Sequence, residues 1–386
     1  VLTLRGGAMI PSQRHLFDIP EDIAYLNCAY LGPLSHSVVA AGRQASAKKS
    51  QPWEIGSEDF FTDTEIARAL FAGLINASDD DIAIVPAASY GVSVAARNLP
   101  LANGQSVVVL AEQFPSNVYA WRESAGAAGA RVMTVARPEH GDVTRAVLDA
   151  LDERTAIVAL PHCHWADGAL LDLETIGHRC RELGASLVLD VTQSAGVMPL
   201  DVNVIQPDFL VAACYKWLLG PYSIGFLYVA PHRQDGKPIE FNWRARLGSD
   251  NFAGLVNYED TYVSGAHRFD VGECANFQTM PAVIAALQQI RDWGVPAIAK
   301  TLATRNEGIA ERAAELGLES LGAERRAGHF LSLRFPRGIP EGLLDTLRQA
   351  RVYVSVRGDS LRITPHLYND DADVDRLMRA LERAID

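Results

Sequence analysis

Short apolar runs alternate with amphipathic stretches between residues 82 and 229. Runs at 82–85, 106–110, 131–135, 156–160, 186–189, 209–213 and 224–229 are rich in Val, Ile, Leu and Ala. Runs of this length and composition read as strands buried on both faces. Stretches with apolar residues three and four apart begin at Ser89 and lie at 116–127, 143–151 and 173–183. They read as helices packed on those strands. Repeated strand–helix units build a mostly parallel sheet covered on both sides. Only a short turn containing Gly220-Pro221 joins 209–213 to 224–229. A parallel partner would need a crossover, so the last strand is expected to run antiparallel.

After about residue 265 the pattern changes. Helices are predicted at 282–293, 296–316, 341–351 and 374–385, and strands at 329–335, 352–356 and 361–364. This is a small α+β domain. The expected division is an N-terminal arm (1–51) packing on the small domain, a large domain (52–280) and a small C-terminal domain (281–386). Residues 231–265 are irregular and rich in Trp, Tyr and Arg. A loop of that length is expected to have a function or to be disordered.

Composition narrows the classes. A chain of 386 residues that is 48% hydrophobic can bury a large core. A net charge of −12 without a basic stripe disfavours a nucleic-acid partner. No apolar run approaches the roughly 20 residues of a membrane span, and residues 1–10 lack a signal-peptide pattern. Five scattered cysteines with no Cys-x-x-Cys pair suggest neither a disulfide framework nor a zinc site. The expectation is a reduced, cytoplasmic enzyme with a small-molecule substrate.

The chemistry lies at the predicted strand ends, where open α/β sheets bind ligands. Lys216 ends the run 209–213, between Tyr215 and Trp217. Partial burial there favours the neutral amine that attacks carbonyls. Ala88, Ser89 and Tyr90 open a helix whose free N–H groups suit a phosphate. Phe114 can cover a flat ring, and Asp190, at the end of 186–189, can pair with a protonated ring nitrogen. Singly, Ser89 reads as a helix cap, Phe114 as core, Asp190 as a surface turn and Lys216 as a strand-end lysine. Together they describe a pyridoxal-phosphate site. His162 and His164 can be read as metal ligands, but no third ligand is evident.

These residues, with Asp190-Val191-Thr192-Gln193, Cys214-Tyr215-Lys216, Arg268-Phe269-Asp270-Val271-Gly272 and Leu361-Arg362-Ile363-Thr364, resemble the class V aminotransferase family of fold type I pyridoxal-phosphate enzymes. That family includes cysteine desulfurases, selenocysteine lyases, kynureninases and isopenicillin-N epimerase-like proteins. The resemblance implies a seven-stranded large domain, a homodimer and an amino-acid substrate. It implies that Lys216 forms the internal aldimine, Asp190 pairs with the ring nitrogen and Gln193 lies near the phenolic oxygen. Ser89 and Tyr215 would bind the phosphate, and Arg362 the substrate carboxylate. Tyr30, His164, Trp165, Trp243, Arg244 and Arg246 are candidates for the side-chain pocket; the 243–246 run reads equally as dimer interface. The segment 114–119 looks like the kynureninase form of the ring-covering segment, with Asn117 where an Asp is usual.

Three features depart from the family pattern. Ala213 and Cys214 stand where a phosphate-binding Ser or Thr is common. His162-Cys163-His164 stands where an Asn is common. The connection 356–360 lacks the nucleophilic Cys of the desulfurases. The expected reaction runs through a Cα carbanion, as in an aminotransferase. The alternatives are a lyase of the kynureninase or selenocysteine-lyase type, an epimerase, or a non-catalytic scaffold.

Overall fold

The computed structural model describes residues 9–138 and 142–385. Residues 1–8, part of the expected arm and of the segment read as lacking a signal peptide, lie outside the described residues. So do 139–141 and the last residue of the chain. The described chain runs β1 (Ala24–Tyr25), α1 (His36–Lys49), α2 (Thr62–Ile75), β2 (Ile82–Val85), α3 (Ala88–Asn98), β3 (Ser106–Leu110), α4 (Tyr119–Ala128) and β4 (Arg131–Val135). There follow α5 (Val143–Ala150), β5 (Thr155–Pro161), α6 (Leu173–Leu183), β6 (Ser186–Asp190), α7 (Val202–Ile205), β7 (Phe209–Ala213) and β8 (Gly225–Val229). The C-terminal part holds α8 (Met280–Trp293), α9 (Val295–Glu315), β9 (Leu331–Arg334), α10 (Leu343–Gln349), β10 (Val352–Tyr353), β11 (Ser355–Arg357), β12 (Ser360–Ile363) and α11 (Asp371–Ile385).

Seven strands form one sheet in the order β2-β8-β7-β6-β5-β3-β4. β8 runs antiparallel to both neighbours, as its short connection requires, and the other pairs are parallel. Alternation along the strands sends Ile82, Ile84, Val108, Leu110, Val158 and Leu160 into one core layer. Ala83, Val85, Val107, Val109, Ile157 and Ala159 enter the layer on the opposite face. The chain leaves β3 towards β4 but leaves β5 towards β6, in the opposite direction. A crevice opens between their C-terminal ends, the place where doubly wound sheets bind ligands.

In the C-terminal part, β11, β12 and β9 form an antiparallel sheet, while β10 pairs in parallel with β1 from the N-terminal segment. The expected strand 352–356 is therefore two strands in two sheets. Its halves meet different partners on either side of Val354, which periodicity within one run does not reveal. Helix α1 packs on α8. The stretch 231–265 has only short 3-10 turns. It is nevertheless fastened to the large sheet. Asp270 accepts hydrogen bonds from Arg68 and Arg244 and from the Ile84 backbone N–H (2.8 Å). The backbone of Val271 donates to Ile84 O at 2.9 Å and covers the free edge of β2. Among the described residues no helix is long and apolar enough to cross a membrane.

Candidate active site

A pocket of about 250 Å³ lies at the C-terminal ends of β2, β3, β5, β6 and β7. Its wall brings together Ala88, Ser89, Phe114, Trp165, Asp190, Gln193, Tyr215 and Lys216. Lys216 follows β7 in a tight turn closed by the Gly220 N–H on Cys214 O, 3.0 Å. The segment after β1 crosses directly over it, with the Gly32 N–H on Tyr215 O at 2.8 Å. A Cβ at Gly32 would lie 2.2 Å from Lys216 O, so this crossing needs glycine. The amine is 5.5 Å from the Phe114 ring centroid and 5.6 Å from that of Tyr215. Lys216 is only 9% exposed. Burial lowers its pKa to about 8; Asp190 opposes the shift, and Arg362 and Arg357 add to it. Neutral amine is then accessible near neutral pH.

Asp190 ends β6, opposite Pro161 of β5 and Val211 of β7. Its Oδ1 accepts the Thr192 N–H (3.0 Å), and Thr192 Oγ1 accepts the Ala213 N–H (3.2 Å). This pair ties the aspartate to the strand that carries the lysine. The Gln193 amide is already committed. Its Oε1 accepts Trp217 Nε1–H (2.8 Å), and its Nε2 donates to Ala29 O (3.2 Å). The helix cap before α3 is Ala87, so Ser89 stands inside the first turn. The first N–H of this helix to find an acceptor is that of Tyr90, on Ala87 O. Those of Ala88 and Ser89 are left for a ligand.

Arg362 is 1% exposed. Its Nε and Nη2 donate to Ser355 Oγ (3.0 and 2.8 Å), and its Nη1 donates to Trp165 O (2.7 Å). Ser355 Oγ in turn donates to Asn27 Oδ1 at 3.0 Å. Burial, helped by Arg357, lowers the Arg362 pKa to about 9. Trp165 lines the pocket wall and Arg362 does not; the guanidinium carbon lies 5.9 Å from the Trp165 ring centroid. Trp165 Nε1 donates to Glu112 O (2.7 Å), and its ring meets Phe114 edge-on at 5.5 Å.

Other expected site residues lie elsewhere. Tyr90 turns away beside Glu240, and burial together with that carboxylate raises its pKa. Tyr30 sits exposed on the turn after β1, outside the pocket wall. Trp243 packs among Phe60, Phe61 and Phe252. Arg244 is buried on Asp270 (3.0 Å), and Arg246 stacks 3.9 Å from the Tyr262 ring centroid. The 243–246 run therefore braces the irregular segment, away from the pocket wall. His164 is buried against Asp167 (3.5 Å), while His162 faces a second cleft of about 1760 Å³ beyond Trp165. That cleft is larger, and among the described residues no lysine lines it.

The wall also contains Asn117 of the expected ring-covering segment, and Gln113, Thr192, Tyr222 and Ser223, to which the sequence assigned no role. Gln113 Nε2 donates to Asn117 O and Ala159 O, and Asn117 Oδ1 accepts Trp121 Nε1–H. Those bonds leave Gln113 Oε1 and Asn117 Nδ2 buried and without a partner. A polar ligand is what such atoms lack. The desolvated amine, the aspartate, the helix N-terminus and the orphaned amides together fit a charged, flat pyridine aldehyde bearing a phosphate.

The family described as Aminotransferase class-V matches residues 54–380. The chain belongs to the class V aminotransferase family. It is 29% identical over 322 residues to an uncharacterized aminotransferase, YcbU, of Bacillus subtilis (strain 168), covering 79% of this chain and 80% of that one. It is 27% identical over 345 residues to a probable cysteine desulfurase of Methanothermobacter thermautotrophicus, with 82% of each covered. It is 24% identical over 336 residues to isopenicillin N epimerase of Streptomyces clavuligerus, covering 82% and 83%. In fold it matches the apo cysteine desulfurase of Thermococcus onnurineus NA1 with a TM-score of 0.85 at 20% identity, over 98% and 99% of the two chains. Class V aminotransferases are pyridoxal-phosphate enzymes of amino-acid chemistry. This chain is such an enzyme, of fold type I.

Proposed function

We propose that this enzyme transfers the amino group of a small amino acid, with Lys216 holding the cofactor and moving the Cα proton. The carrying observation is the buried Lys216 amine, its pKa lowered to about 8, facing Asp190 across one pocket. When bound, pyridoxal phosphate draws electrons away from the substrate Cα. The chain does the rest. Asp190, oriented by Thr192, holds a proton on the ring nitrogen. Ala88, Ser89 and Tyr215 bind the phosphate, and Phe114 covers the ring. Arg362 grips the α-carboxylate and Trp165 closes that side against water. Lys216, freed from the cofactor, would take the Cα proton and deliver it to the cofactor carbon that bore the aldehyde, the shift that amino transfer requires. All five cysteines are buried, and burial raises the pKa of every one of the five thiols. A persulfide route through an exposed thiolate has no support here.

The division into arm (1–51), large domain (52–280) and small domain (281–386), a cytoplasmic setting and a homodimer belong to the same reading. Borohydride reduction of the loaded protein, followed by peptide mapping, is expected to label Lys216, and Lys216→Ala to take no label while folding normally. A label on another lysine overturns the assignment. Keto-acid product that requires an added 2-keto acid acceptor supports transfer. Keto acid with free ammonia and no acceptor identifies a lyase instead.

A further inference from the structure

β11 and β12 pair with Ser355 opposite Arg362 and Arg357 opposite Ser360. Side chains two apart on a strand, and those directly opposite, share a face. Ser355, Arg357 and Arg362 therefore project together from the small C-terminal sheet. That face meets Trp165, whose ring centroid is 5.7 Å from the Arg357 guanidinium carbon and 5.9 Å from that of Arg362. Both arginines act on the Lys216 amine, and Arg357 acts on Arg362. Two like charges on adjacent sheet positions repel unless anions join them.

The acids around this face are engaged elsewhere. Asp359 pairs with Arg334 at 3.4 Å, and Glu112 and Asp167 both pair with Arg137. The hydrogen bond that Arg357 makes runs to the neighbouring Val356 O, 2.7 Å. One α-carboxylate occupies the fork of Arg362, leaving Arg357 over. Arg357 and Trp165 also line the larger cleft of about 1760 Å³, where a substrate side chain has room to extend.

We propose that Arg357 receives a second acidic group, carried on the substrate's side chain, so that the enzyme selects dicarboxylic amino acids over their neutral isosteres. This rests on the amino-acid reading of the pocket. The test is to titrate the cofactor absorbance of the loaded enzyme with L-aspartate, L-asparagine, L-glutamate, L-glutamine and L-alanine. An acid is expected to bind at least tenfold more tightly than its amide. Arg357→Gln is expected to abolish that preference while leaving L-alanine binding within about twofold, and Arg357→Lys to keep part of it. Unchanged circular dichroism and cofactor absorbance show that the variants are folded and loaded. If Arg357→Gln weakens alanine and aspartate by one factor, Arg357 serves the α-carboxylate and the proposal is wrong. If wild type binds acid and amide alike, it is wrong as well. If no amino acid perturbs the band at all, the amino-acid reading falls first and takes this proposal with it.

Discussion

Arg362 has five N–H donors, and three of its donor bonds are made within the chain, to Ser355 Oγ and Trp165 O. One hydrogen remains on each terminal nitrogen, two donors that a carboxylate can accept. The side chain is held in place before any substrate arrives, and among the described residues no acid is paired with it. Charge-assisted hydrogen bonds are worth about 1.5–3 kcal/mol each. Arg362→Ala should therefore weaken amino-acid binding by about two orders of magnitude or more, at about 1.4 kcal/mol per factor of ten. The check compares an amino acid with its decarboxylated amine. Wild type should strongly prefer the former and the variant should not; equal discrimination in both would remove Arg362 from the site. The convergence of Lys216 and Asp190 on one pocket wall was legible in the sequence because each stands at the end of an apolar strand, a costly place for a charge without a task; Arg362, expected from an apolar strand as well, lies off that wall. Arg357 was not legible. Its partnership with Arg362 exists only in the β11–β12 register, which no single strand announces. Tyr90 misled for a related reason: it follows Ser89 in the helix but points from another side of it.

At the scale of elements, the strands that carry the site were readable from their apolar runs, and the antiparallel β8 from the length of its connection. The seam between the two sheets was not. It is built partly from histidines far apart in sequence. His329 Nε2 donates to Gln193 O at 2.6 Å, joining the approach to β9 to the turn after β6. Its ring lies 4.4 Å from Trp217, which is 6.0 Å from His366. Among the described residues His366 has no hydrogen-bond partner on either ring nitrogen. Burial lowers the pKa of His162 to about 4 and those of His329 and His366 to about 3. The unfolded value is about 6.5. Below it the unfolded chain binds more protons than the folded one, so stability is intact above pH 6.5 and falls as pH drops towards 3–4. At pH 5 each histidine accounts for up to about 2 kcal/mol of that loss. His366, which faces His329 and Arg305, tests this. His366→Phe keeps a buried ring and removes the titration. Its unfolding free energy should fall less steeply than wild type between pH 6.5 and 5, a window above most carboxylate titration. Parallel curves for the two proteins would show that His366 is not protonated on unfolding in that range.

The whole molecule leaves one surface unexplained by its own packing. The irregular segment that follows β8 is locked from within by the buried Arg68–Asp270–Arg244 ion pairs. Breaking such a network costs about 3–5 kcal/mol when one partner is removed, so this segment is a fixed scaffold. Yet it turns apolar side chains outward: Val256 is 79% exposed and Tyr258 97%, with Phe241 and Leu247 also exposed. Tyr222, on the rim of the cofactor pocket, is likewise exposed. Rigidly held apolar side chains turned to the outside are what a symmetric partner covers. The chain is therefore expected to sediment at twice its mass at micromolar concentration. Replacing Leu247 and Val256 together with Asp should shift it to the monomer while leaving its circular dichroism unchanged, because neither residue belongs to the core. If the second subunit also closes the pocket mouth, the monomeric variant should bind pyridoxal phosphate more weakly in proportion to dissociation, and raising its concentration should restore binding. A wild-type monomer with full activity would leave this face without a partner of its own kind. A monomeric variant with undiminished cofactor affinity would confine the interface to assembly and separate it from the site.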